Sequence, residues 1–137
     1  MITLILGKKG SGKTKRLIDM CNEAMAQSKG NVVFIEKDNT LTYSLKHSVR
    51  LVAADEYAIR GFDSFYGLIA GMCAGNYDIT DIFVDSTLKI GGGVEELLGF
   101  VEKLKALSDK VNTNIVMSVS ADPSEIPEKI AELAKEI

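Results

Sequence analysis

Gly7, Gly12, Lys13 and Thr14 fall in the spacing G-x-x-x-x-G-K-T within the stretch GKKGSGKT, residues 7 to 14. Each residue type has a chemical use at its position. Glycines let the backbone curl so that successive N–H groups turn inward onto an anion, and a helix that follows adds the positive end of its dipole. Lys13 can reach the outer phosphates of a nucleotide as a point charge, and the Thr14 hydroxyl can ligate a magnesium ion bridging the same oxygens. The apolar run ITLIL stands directly before the stretch and KRLIDMCNEAM directly after it, the strand and helix that the motif requires. The predicted phosphate-contacting set is therefore Gly7, Lys8, Lys9, Gly10, Ser11, Gly12, Lys13, Thr14 and Lys15. Within it, Lys8 and Lys9 either add cationic field or are solvated.

A loop of this kind needs a carboxylate at the tip of another strand to hold the metal's shell. Asp85 ends IFVD, and Asp55 and Glu56 follow RLVAA. Asp85 is preferred, because an amphipathic helix follows it and then the strand NIVMSVS, which ends in small hydroxyl residues suited to sensing a phosphate. Ser118 and Ser120 are the candidates for that sensing position, with ordinary strand-end serines as the alternative.

The elements that must position these residues alternate regularly. Residues 2–6 form a continuous β-prone run of the kind buried on both faces of a parallel sheet. From Lys13 to about Ser28 the apolar residues Leu17, Ile18, Cys21, Ala24 and Met25 recur at helical spacing. NVVFIE (31–36) and VRLVAA (49–54) read as further strands, joined by a polar loop. Phe62, Phe65, Leu68, Ile69, Met72 and Cys73 make one helical stripe, read as core packing. DIFVD (81–85) is a strand, STLKIGGG a mobile glycine-rich loop, and Val94 to Leu107 another amphipathic helix. NIVMSVS (114–120) is a fifth strand. Ile126, Ile130, Leu133 and Ile137 mark a closing helix, with Asp122, Pro123 and Glu125 as its capping signature and Pro127 as an awkward resident of its first turns. The pattern predicts a single α/β domain, three-layered, with a mainly parallel five-stranded sheet.

Composition narrows the partners. The chain has 137 residues, 46% hydrophobic and 26% charged, with a formal net charge of −3, values of an ordinary globular domain. That charge, with arginine confined to Arg16, Arg50 and Arg60, disfavours general nucleic-acid binding. Cys21 and Cys73 lack metal-ligand spacing and read as buried, reduced thiols. No stretch is long and apolar enough for a signal core or a membrane span, so the expected location is cytoplasmic.

The order GKKGSGKT, VVFIEKD, RLVAADE, helix, IFVDS, helix, IVMSVS resembles the RecA-like (ASCE) branch of P-loop NTPases over nearly the whole chain. In size the chain also resembles small bacterial proteins labelled as ATPases, some as twitching-motility ATPases, a label resting on analogy. The resemblance makes GKKGSGKT a Walker A motif and IFVDS a Walker B motif, and implies the strand order 1-5-4-2-3 with ATP and Mg²⁺ as ligands. It also implies a carboxylate that aligns the attacking water just past the second strand. FIEKDN offers Asp38, closest by position, and Glu36, the right type slightly early. The implied activity is slow ATP hydrolysis, with a neighbouring copy or a protein partner supplying an arginine for fast turnover. Arg50 and Arg60 are the candidate donors. The order leaves ITLIL as an apolar edge open to pairing. Two competing readings are a small-molecule (nucleoside-type) kinase, for which no arginine-rich lid is visible, and a non-hydrolysing switch in which a partner reads STLKIGGG.

Overall fold

The computed structural model of the chain describes residues 1–39 and 45–137. Part of the loop expected between the second and third strands therefore lies outside the described residues. The chain runs β1 (Ile2–Gly7), α1 (Lys13–Gln27), β2 (Asn31–Glu36), β3 (Arg50–Ala53), α2 (Phe62–Gly75), β4 (Ile79–Val84), α3 (Thr87–Gly91), α4 (Leu97–Val111), β5 (Asn114–Ser120) and β6 (Lys135–Glu136). Single 3₁₀ turns occupy Ala54–Tyr57, Val94–Glu96, Pro123–Glu125 and Glu128–Glu132.

The strands form one six-stranded sheet in the order β3-β2-β4-β5-β1-β6, with every strand pair parallel. Read from β1 outward, the first five keep the order 1-5-4-2-3. The expectation of five strands is corrected by β6, which lies along β1 through Leu6 N–H to Ile137 O (3.0 Å) and Ile137 N–H to Leu4 O (2.9 Å). β1 is thus not the open edge its apolar sequence suggested. The chain's own final residues cover it, which removes the ground for expecting self-pairing there.

Period-2 alternation divides the sheet into two faces. On one, Leu17 and Cys21 of α1 pack on Ile5, Phe34, Phe83 and Val116. On the other, Phe65 and Ile69 of α2 and Leu97, Phe100 and Leu104 of α4 cover Leu4, Ile35, Val84 and Met117. Phe100 sits between Phe62 and Phe65, with ring centroids 4.7 and 5.1 Å away. Both cysteines are buried and free, and burial pushes the Cys21 thiol up to about 12, with Asp81 adding a smaller charge effect.

Two further expectations change. The closing helix is absent: Ile126 and Ile130 are buried as their spacing implied, but Ile126 is extended between two short 3₁₀ turns and Ile130 sits on the second of them. Pro127 lacks the N–H that a helix would need there and confines the preceding residue to extended backbone. The Asp122–Glu125 capping box does form, on the turn Pro123–Glu125, and donation from Ser124 holds the Asp122 carboxyl below its ordinary range. The segment expected as a mobile loop is instead helical over Thr87–Gly91, with Thr87, Ile90 and Gly91 buried. Gly91 lies against the Phe62 ring so closely that a Cβ would collide with it.

Phe65 is fully buried at the centre of the aromatic cluster. Phe65→Ala is expected to cost about 3–5 kcal/mol of stability by loss of transfer energy plus a residual cavity, read from the urea midpoint at unchanged slope.

Candidate functional site

Parallel pairing puts the carboxyl ends of β1, β2, β4 and β5 on one edge of the sheet, and the glycine loop emerges from β1 at that edge. Gly10 (φ 83°) and Gly12 (φ 86°) hold left-handed conformations that a side chain would oppose. At Gly7 a Cβ would approach Ser11 Oγ to 2.5 Å. Gly12 is the N-cap of α1, and that end of the helix has neither a capping side chain nor an acid in its first turn. Helix starts normally satisfy their free N–H groups with a Ser, Thr, Asp or Asn side chain. Here no side chain caps the start of α1, and its N–H groups and the positive end of its dipole suit an anion.

The register explains what faces it. Ile35, Val84 and Met117 align across β2, β4 and β5 on the face away from α1. One residue further along each strand, Glu36, Asp85 and Ser118 occupy the α1 face at a common level. Ser118 Oγ donates to Asp85 Oδ1 (2.8 Å) and accepts from Ser86 N–H (2.8 Å). Thr14 Oγ1, in the first turn of α1, lies 3.1 and 3.2 Å from the two Asp85 oxygens. Asp85 N–H is tied to Ile35 O at 2.9 Å, which fixes the carboxylate between its neighbours. Directly after it, Ser86 takes a left-handed conformation (φ 56°) that turns the chain into α3. Such a conformation costs a non-glycine residue about 1–2 kcal/mol.

Between the loop and α3 is a cavity of about 510 Å³ lined by Lys9, Lys13 and Lys89, by the Asp85 carboxylate, and by Thr14 and Ser118 among others. Lys13 Nζ donates to Lys8 O (2.8 Å) and lies 3.4 Å from Ser11 Oγ, so its ammonium is folded over the loop. Gly10, Gly12 and Ser120 also line the cavity, whereas Lys8 and Ser11 do not. Lys15, included in the loop set on sequence grounds, points away to pair with Asp19 at 3.0 Å on the exposed side of α1.

Of the two water-aligning candidates, Glu36 is buried at the end of β2 on the α1 face, beside the cavity without lining it, while Asp38 is exposed beyond the strand. Among the described residues Asp38 makes no hydrogen bond to Thr14, Asp85 or Ser118. Asp55, the alternative strand-tip acid, lies beyond the edge strand β3 and pairs with Lys37 at 2.9 Å. None of the arginines lines the cavity: Arg16 is exposed on α1, Arg50 opens β3 at the opposite end of the sheet, and Arg60 precedes α2. Lys89 was missed in the sequence, where its only signal is a cation four residues after Asp85.

Thr14 and Asp85 offer hard oxygen donors of the kind magnesium takes. Among the described residues no group of three or more His, Cys, Asp or Glu side chains could hold a metal unaided, so an ion at Thr14 and Asp85 would have to share its shell with phosphate oxygens and water. No protein-family model and no curated protein matches the chain, which leaves geometry as the ground for a functional reading.

Ser118→Ala would strip Asp85 of a donor and Ser86 N–H of its acceptor inside a buried corner. The expected loss is about 1–3 kcal/mol in urea unfolding, larger than a mere serine-to-alanine trimming at a strand end.

Proposed function

We propose that the chain is a Mg-ATP-binding P-loop protein of the RecA-like type and a slow ATPase. The observation that carries the reading is the approach of Thr14 Oγ1 to both Asp85 oxygens at the uncapped start of α1. The strand order supports it, since β5 separates the loop strand from the strand that presents the carboxylate. Charge supports it too: three lysines against one carboxylate line the cavity of a chain whose net charge is −3.

In this reading the N–H groups of residues 10–14 cradle the inner phosphates, and Lys13 exchanges its bond to Lys8 O for phosphate oxygens. Thr14 and Asp85 hold magnesium, which when bound neutralises charge growing on the phosphates. Ser118 fixes the Asp85 carboxylate so that its free lone pairs face the cavity. Glu36, level with Asp85 on the adjacent strand, accepts a proton from water as the water oxygen bonds to the terminal phosphorus. The bond from that phosphorus to the bridging oxygen breaks, the electron pair stays on ADP, and inorganic phosphate leaves with the proton from Glu36. The helical structure of Thr87–Gly91 gives a partner-read mobile loop less to stand on than the sequence suggested.

Thermal unfolding with Mg²⁺ and ATP, GTP or ADP tests the binding. A ligand at a hundred times its Kd adds about 2.7 kcal/mol, several degrees for a domain this size. An ATP shift that Lys13→Ala abolishes is the expected result, and no shift with any nucleotide overturns the reading. Phosphate release then separates the two acids: Glu36→Gln is expected to lower turnover about a hundredfold or more with binding retained. Asp38→Asn is expected to leave turnover nearly unchanged.

A further inference from the structure

We infer that Lys89 is the cation that meets the terminal phosphate of the bound triphosphate, supplied by the same chain that supplies the glycine loop. The inference rests on the nucleotide reading of the cavity and adds the residue that distinguishes a triphosphate from a diphosphate there.

Three observations carry it. Lys89 lines the cavity from the wall opposite the loop, next to Asp85, Ser86 and Ser118. The loop backbone and Lys13 hold the phosphates from one side, and Asp85 with Thr14 marks where a metal bridging the outer two would sit, so a cation on the Asp85 wall lies at the outermost phosphate. Second, Lys89 sits on a fixed platform. Its own N–H bonds Ser86 O (2.9 Å), Gly61 N–H bonds Ile90 O (2.9 Å), and Ser86 N–H is held by the same Ser118 hydroxyl that holds Asp85. With Thr87, Ile90 and Gly91 turned into the protein and Gly91 seated on the Phe62 ring, α3 has one orientation, and that orientation presents Leu88 and Lys89 to the cavity. Third, among the described residues no carboxylate pairs with the Lys89 ammonium, although four other lysines of the chain are in ion pairs. An unpaired cation beside the metal carboxylate, in a cavity that no arginine enters, matches the negative charge of a terminal phosphate.

The consequence is a charge contribution made in cis. As the bond to the bridging oxygen breaks, charge builds on the oxygens around the terminal phosphorus, and an ammonium held there stabilises it without a second copy of the chain.

The test compares Kd for ADP and for a nonhydrolysable ATP analogue, with Mg²⁺, in the full chain and in Lys89→Ala, Lys89→Arg and Lys9→Ala. Lys89 is exposed, so its variants are expected to melt as the unmutated protein does. Lys89→Ala is expected to weaken the triphosphate about tenfold or more, the scale of one charge-assisted hydrogen bond, and the diphosphate by less than about twofold. Phosphate release falls with it, and Lys89→Arg restores the discrimination. Lys9→Ala, which removes a cavity cation from the loop instead of from α3, is expected to weaken both ligands alike. Unchanged discrimination and turnover in Lys89→Ala, with the unmutated chain binding ATP, overturn the assignment of Lys89 alone. Failure of the unmutated chain to bind any nucleotide overturns it together with the functional reading beneath it.

Discussion

In-register parallel pairing of β2, β4 and β5 is the constraint on which the rest of the molecule hangs. It aligns Ile35, Val84 and Met117 on the face covered by α2 and α4, and by alternation it must place Glu36, Asp85 and Ser118 together one residue later on the face of α1. A slip of one residue in any of these strands would turn a carboxylate or, in β5, the Ser118 hydroxyl into the core and a core side chain out of it. Hydrophobic packing along the strands and chemistry at their tips are therefore set by one and the same choice of register.

The corner around Asp85 shows how packing reaches into that chemistry. Phe62, Phe65 and Phe100 close the core between α2 and α4, and the Phe62 ring is also the floor on which Gly91 lies. α3 is only five residues long and could not hold itself together in water. It is kept in place by the buried side chains on either side of it and by the Ser86–Ser118 hydrogen bond. The left-handed Ser86 is the local cost of turning sharply enough to bring α3 alongside the carboxylate, and neighbouring packing offsets it.

Charge is distributed to the same end. The chain is acidic overall, yet the cavity at the carboxyl edge gathers lysines around a single carboxylate. Most of the remaining ion pairs join exposed groups on helices or turns, where solvent screening makes them weak. The cavity cations are the ones that matter for a phosphate ligand, because low-dielectric walls and the end of α1 focus their field.

The glycine loop, the strand before it and the helix after it were legible in the sequence, because a turn through left-handed backbone needs glycines at fixed local spacing. That Asp85, and not Asp55, would stand at the strand tip beside the loop was legible as well, from the elements that follow each, and the order of the first five strands is the one the resemblance implied. Other features could only be decided by tertiary structure, since they depend on contacts between residues far apart in the chain. The spacing of Ile126, Ile130 and Leu133 reported burial correctly but not conformation: Pro127 blocks the helix, and the exposed flank of β1 offers the last residues a backbone to pair with. Three successive glycines suggested mobility, yet Gly91 is there because the Phe62 ring leaves room for nothing larger. Position favoured Asp38 and residue type favoured Glu36, and only strand alternation against α1 separates a buried acid on the α1 face from an exposed one beyond the strand. Local spacing records what a segment can do; which wall of the cavity it lines is fixed by register and packing across the sheet.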